Sequence, residues 1–266
     1  MRIAIFSDVH GNLTALQTVL DHIFSQPDID HIVFAGDLCI FGPRPKACID
    51  LVRKYDVTCL VGNTDQWILT SPPIRDDMDE AMRLRRMRQQ AVCRWTARQL
   101  DQESLAWIDS LNGSFKKIFS PTSSLADSLL IVHANPVDLN EIIFPPIDKQ
   151  LELYGKVRQT DDDLEPLLSS VQEHFIAFGH IHIPSIRNWK DKVLVNVSSV
   201  NLPGDGDPRA KYALLSWEES NGWAVQHHRL PYKVDSEISA FQDYQPPGWE
   251  DQVAQLKSSG FYPQIV

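Results

Sequence analysis

IAIFSDVHGN, residues 3–12, sets an apolar run directly before an aspartate and a histidine two positions apart. Side chains two apart in an extended chain point the same way, so Asp8 and His10 are expected to converge just past the end of a strand. Four more apolar segments carry, at or near their ends, a residue able to hold a metal ion: HIVFAGD (31–37), TCLVGN (58–63), LLIVHA (129–134) and FIAFGHIH (175–182). Short length, β-branched and aromatic content, and glycine or asparagine punctuation make these strands rather than buried helix pieces. Continuous apolar runs of this kind suit strands buried on both faces.

Between the first two segments, NLTALQTVLDHIF places Leu13, Leu16, Val19, Leu20 and Ile23 at helical spacing behind Asn12, a good N-cap. A second helix is expected over Pro45–Tyr55. Strands alternating with helices predict a parallel α/β core whose polar strand ends gather along one edge. KVLVNVSSV (192–200), YALLSWE (212–218) and WAVQHHRL (223–230), separated by turn-rich NLPGDGDPR and ESNG, predict a second, more antiparallel sheet packed on the first. We read residues 1–266 as a single domain, with a helical, arginine-rich insertion at about 65–128 and a peripheral covering tail from about 234. The arginines of EAMRLRRMRQQAVCRWTARQL (80–100) suit a solvated helix face, partly balanced by Asp76, Asp77, Asp79 and Glu80, or a rim that draws in phosphate esters.

The chain is 43% hydrophobic and carries a formal net charge of -10. That balance opposes general affinity for nucleic acid backbones and anionic membranes. Cys39, Cys48, Cys59 and Cys93 form no Cys-x-x-Cys pair and read as reduced thiols of a cytoplasmic protein. The first apolar run is too short for a signal segment, and no later stretch reaches the length of a membrane span.

Asp8, His10, Asp37, Asn63, His133, His180 and His182 are the candidate ligands. Imidazoles, carboxylates and one amide carbonyl suit borderline divalent ions, manganese foremost, with iron, zinc or nickel as alternatives. Seven ligands exceed one tetrahedral ion and suit two ions sharing a carboxylate. His22, His31, His174, His227 and His228 lie outside this pattern and are given no role.

In this order, D-x-H, GD, GN, H and GH-x-H resemble the calcineurin-like metallophosphoesterase family. FGPRP (41–45) and GDGDPRAKYAL (204–214) are similar to its small bacterial phosphodiesterase branch. The resemblance implies a two-sheet β-sandwich flanked by helices, in which Asp8, His10 and His182 bind one ion, Asn63, His133 and His180 the other, and Asp37 bridges them. It implies a dimetal hydrolase of phosphate esters, foremost a phosphodiesterase, with a phosphomonoesterase or a non-catalytic scaffold as alternatives. Two ions roughly 3.5 to 4 Å apart would acidify a bridging water and present hydroxide for in-line attack on phosphorus. Asp37 and Asp65 are the expected catalytic residues, and Asn12, Thr64 and Arg209 are expected against the substrate. The expected partner is a small phosphate ester such as a nucleotide, with no membrane and no stable nucleic acid complex; a homo-oligomer stays open.

Three features depart from the family pattern. Thr64 stands in GNTD where many members have a histidine that protonates the leaving group. HAN (133–135) replaces HG, and SSV (198–200) stands where the related branch has a glycine-serine pair. Gly36, Gly62 and Gly179, each just before a ligand, are expected to admit sharp turns and keep bulk from the ions.

Overall fold

The computed structural model describes residues 1–258. Ten strands are found among them: β1 (Arg2–Phe6), β2 (His31–Phe34), β3 (Thr58–Cys59), β4 (Lys116–Phe119), β5 (Leu129–Val132), β6 (Phe175–Phe178), β7 (Ser185–Trp189), β8 (Lys192–Asn196), β9 (Ala210–Glu218) and β10 (Gly222–Leu230). They form two five-stranded sheets, ordered β10-β9-β1-β2-β3 and β4-β5-β6-β8-β7. The first sheet is parallel from β1 through β2 to its edge at β3, with antiparallel β9 and β10 on the other side, and the second has a parallel centre, β5-β6-β8, between antiparallel β4 and β7.

Alternation along β1 explains the layering. Ile3 and Ile5 join Val33, Leu129, Ile131, Ala177 and Val195 in a core between the sheets. Ala4 and Phe6 face the other way and pack with Leu16, Val19, Leu20 and Ile49, supplied by helices α1 (Leu13–Ser25) and α2 (Pro45–Arg53). Asn12 caps α1, its side chain accepting from the Ala15 N–H at 2.9 Å. Helices α3 (Asn63–Leu69), α4 (Glu80–Arg98) and α5 (Gln102–Ser110) follow, then α6 (Ile147–Tyr154) and α7 (Glu165–Leu168). Leu167 and Leu168 cover the outer face of the second sheet against Leu130, Val132, Ile176 and Phe178. From residue 234, α8 (Val234–Tyr244) and α9 (Trp249–Ser258) pack Ile238, Phe241, Val253 and Leu256 on Leu202.

The sandwich is the expected architecture, but the strands are shared out differently. The five ligand-bearing segments do not lie in one parallel sheet: three enter the first sheet and two the second. The late strands do not form a sheet of their own either. β8 extends the parallel centre of the second sheet, whereas the β9–β10 hairpin runs back to cover the open edge of β1. Strands buried on both faces look alike whichever sheet receives them, so hydrophobic pattern alone does not assign them.

Candidate metal centre

β1, β2, β5 and β6 stop one to four residues before their ligands, and α3 opens with one. Six of the seven candidate ligands therefore sit in loops, and five of these hold left-handed backbone: Asp8 (φ 56°), His10 (45°), Asp37 (66°), His180 (68°) and His182 (60°). Such conformations cost a non-glycine residue of order 1 kcal/mol or more and persist where the surroundings impose them. Asp8 and His10 do converge, with His10 Nε2 3.8 Å from Asp8 Oδ1, but through these turns rather than by strand alternation. Gly36 turns the chain before Asp37 at φ 98°. Gly62 is needed for space, since a Cβ there would collide with Asp37 Oδ1.

Donor atoms of Asp8, His10 and His182 lie within 4.8 Å of one another, and so do those of Asp37, His133 and His180. Asn63 Oδ1 adds to the second group, 3.0 Å from His133 Nε2. Asp37 Oδ2 stands between the groups, 3.5 Å from His133 Nε2 and 3.8 Å from His10 Nε2. Its other oxygen is taken by the Thr64 N–H at 2.9 Å, so one oxygen faces both groups. All seven expected ligands are thus brought together. The other five histidines bond or stack elsewhere: His22 on Tyr212, His31 on Phe119, His174 on Asp191, His227 on the Asn196 carbonyl and His228 on Tyr212.

The donor set fits cations. Asp8 Oδ1 is fully buried without a hydrogen bond and lies 3.3 Å from His182 Nε2. His10, His133 and His182 each turn Nδ1 to a backbone carbonyl, of Ile40 (3.1 Å), Ala35 (2.8 Å) and Leu202 (2.8 Å). A carbonyl only accepts, so Nδ1 carries a proton, and in the neutral form of each ring the Nε2 lone pair faces inward. His10 Nε2 and His182 Nε2 face each other at 3.2 Å, about the separation of two nitrogens bound to one ion at about 2.1 Å. His180 is reversed, with Nδ1 inward and Nε2 on the Asn140 carbonyl at 3.0 Å.

Charge is concentrated here without ions. Burial works against ionisation of Asp37, but His133 beside it outweighs that and holds its carboxyl well below the usual range; Asp8 is lowered in the same way by His182. Burial also opposes a proton on His133, yet Asp37 pushes it up to about 9, whereas burial and the neighbouring His133 bring His180 down to about 4.

Asp65 stands behind this arrangement. Its carboxylate accepts the backbone N–H groups of Asp37 (2.8 Å), Leu38 (2.9 Å) and Gly62 (3.0 Å). Burial and the charge of Asp37 outweigh these bonds and push it up to about 6. Thr64 is 4% exposed and its hydroxyl has no hydrogen bond. Asn12 has its amide committed to Ala15, Asn201 and Tyr232, and Arg209 is clasped by Asp207 on an exposed loop. The supporting carbonyls of Ala35, Ile40, Asn140 and Leu202 escaped the sequence reading, because a main-chain carbonyl leaves no side-chain signature.

A calcineurin-like phosphoesterase superfamily domain model matches residues 1–220. The chain belongs to that superfamily. This phosphoesterase is 24% identical over 250 residues to an uncharacterised protein of Methanocaldococcus jannaschii, covering 93% of this chain and 94% of that one. Among solved structures, it is similar to a metallophosphoesterase from Sphaerobacter thermophilus, with TM-score 0.67, 25% identity and coverage of 97% and 99%. A hypothetical protein from Pyrococcus horikoshii OT3 shares the fold, with TM-score 0.74, 16% identity and coverage of 98% and 99%. The enzyme is a metal-dependent phosphoesterase of a dimetal family, and its two donor groups are clusters that could each hold an ion. No helix among the described residues is long and apolar enough to cross a membrane.

Proposed function

We propose that this phosphoesterase hydrolyses small phosphodiesters, nucleotides among them, with two manganese ions held by the seven ligands. The observation that carries the reading is the position of Asp37 Oδ2 between the two donor groups. Bound ions supply a nucleophile from water at neutral pH and offset charge on the phosphoryl oxygens. Asp37 keeps a negative charge between the cations, and Asp65 acts on the reaction through Asp37, by holding its backbone. Carbonyl-held histidines keep their lone pairs aimed without rearrangement.

The Thr64 hydroxyl is buried without a hydrogen bond and follows Asn63 in the chain, which supports reading it as a donor to a substrate oxygen. Its proton is too weakly acidic to be given away, which favours esters with good leaving groups. Unpaired Cys39, Cys48, Cys59 and Cys93 support a cytoplasmic site of action. The test is hydrolysis by manganese-reconstituted protein over a panel of phosphomonoesters and phosphodiesters. We expect diesters to be cleaved with the higher kcat/KM; a strong preference for monoesters would overturn the diester assignment.

A further inference from the structure

Each ligand histidine turns one ring nitrogen toward the centre and rests the other on a fixed partner. For His10, His133 and His182 that partner is the carbonyl of a buried residue, Ile40, Ala35 or Leu202. His180 differs. Its Nε2 rests on the carbonyl of Asn140, an exposed residue in the loop after β5.

The loop has its own fastening. Asp138 Oδ1 accepts the N–H of Asn140 at 2.6 Å and the N–H of Glu141 at 2.8 Å. A trans peptide points its C=O opposite its N–H. Holding the Glu141 N–H on Asp138 therefore turns the Asn140 carbonyl away from Asp138, toward His180. Asn135, fully buried and two residues beyond the ligand His133, closes the loop from inside. Its Oδ1 accepts the N–H of Val137 (2.7 Å) and of Asp138 (2.9 Å), and its Nδ2 donates to the Glu141 carbonyl at 2.7 Å. Leu139 anchors the segment in an apolar cluster with Val61 and Leu111.

We propose that Asn135 and Asp138 are positioning residues that fix the tautomer and ring orientation of His180 through the Asn140 carbonyl. The proposal rests on the two-ion reading above. It gives a purpose to the HAN sequence: its asparagine serves the histidine of the following strand's loop rather than the histidine before it. With Nε2–H held by the carbonyl, the lone pair lies on Nδ1, the atom 3.2 Å from His133 Nε2. The His180 backbone is tied separately, its N–H donating to Asp8 Oδ2 at 2.9 Å. Loosening the loop therefore frees the ring and leaves the chain path intact. The cost falls on the ion site of Asn63, His133 and His180, while the site of Asp8, His10 and His182 is spared.

The test compares Asp138→Ala and Asn135→Ala with Asp138→Asn, which keeps the accepting oxygen. Chelator-stripped protein is titrated with manganese by calorimetry. We expect one of two binding steps to weaken about 10- to 100-fold in the alanine variants, the other to stay unchanged, and Asp138→Asn to bind like wild type. Nitrogen-15 spectra of the stripped protein at pH 8 should show the Nε2–H tautomer of His180 in wild type and Asp138→Asn, and a mixture in Asp138→Ala. Asp138 is only half-buried, so its alanine variant keeps the test valid if the fully buried Asn135→Ala fails to fold. Unchanged tautomer and binding in Asp138→Ala, or equal weakening of both steps, would overturn the proposal. If stripped wild type takes up no ions, the two-ion reading fails, while the tautomer spectra still decide the role of the loop.

Discussion

Asp65 Oδ2 accepts the backbone N–H of Asp37 at 2.8 Å, and Asp37 Oδ1 accepts the N–H of Thr64, the neighbour of Asp65, at 2.9 Å. The two bonds lock the loop after β2 to the start of α3. They also leave Asp37 Oδ2 facing the two donor groups, the oxygen that would be shared by two ions on the proposed reading.

Asp37→Asn keeps the oxygen that receives Thr64 and replaces the inward oxygen by an amide. The charge between the cations is lost, so activity should fall by several orders of magnitude while circular dichroism stays native. Near-normal turnover would show that Asp37 does not bridge.

Asp65→Asn turns one acceptor into a donor facing buried N–H groups. Leaving such a group unsatisfied costs about 1–3 kcal/mol. We expect urea denaturation of the ion-free variant to show a loss of that order, with the leaving-group dependence of catalysis unchanged. A steeper dependence would instead make Asp65 part of the proton path.

On the proposed reading, Thr64 leaves the departing alkoxide without an acid. Rates should fall steeply as leaving-group pKa rises, p-nitrophenyl esters being cleaved far faster than alkyl esters of the same phosphate. Thr64→His should flatten that slope, since general acid catalysis is worth about 10²- to 10⁴-fold. A shallow slope in the wild type would mean that another group donates the proton.

Much of this site was legible because ligands are side chains in an ordered pattern. The converging donors follow from the residues at 8, 10, 37, 63, 133, 180 and 182, and the cap at Asn12 from its place before an amphipathic run. The rest was hidden for definite reasons. β4 is an edge strand with Lys116, Lys117 and Ile118 exposed, so it lacks the apolar alternation that marks a half-buried strand. The strand in TCLVGN was legible, although β3 ends after two residues and Leu60 to Gly62 continue outside it. Left-handed turns at Asp8 and His10 depend on the bonds of Asp8, Val9 and His10 amides to the Gly36 and Asp37 carbonyls, contacts that exist only after the sheet has formed.

Two histidines shifted in opposite directions make the stability of the ion-free protein depend on pH. His133, raised to about 9, contributes stability that is complete below about 6.5 and lost as pH rises through 9. His180, lowered to about 4, contributes stability present above about 6.5 and lost as pH falls through 4. Asp65, raised to about 6, opposes His180 on the acid side, so the clear expectation is that chelator-treated protein loses urea resistance as pH rises from about 6.5 to 9. Ions displace the proton from His133, so their presence should abolish the alkaline decline; stability rising from pH 6.5 to 9 without ions would contradict the assignment.

Stepwise reloading tests the two-ion account most directly. Stripped protein receives manganese in substoichiometric portions, and hydrolysis of bis(p-nitrophenyl) phosphate is followed against ions bound per chain. We expect binding to saturate at about two ions, with activity lagging through the first equivalent and rising with the second. Full activity at one ion per chain, or no hydrolysis at saturation, would contradict it.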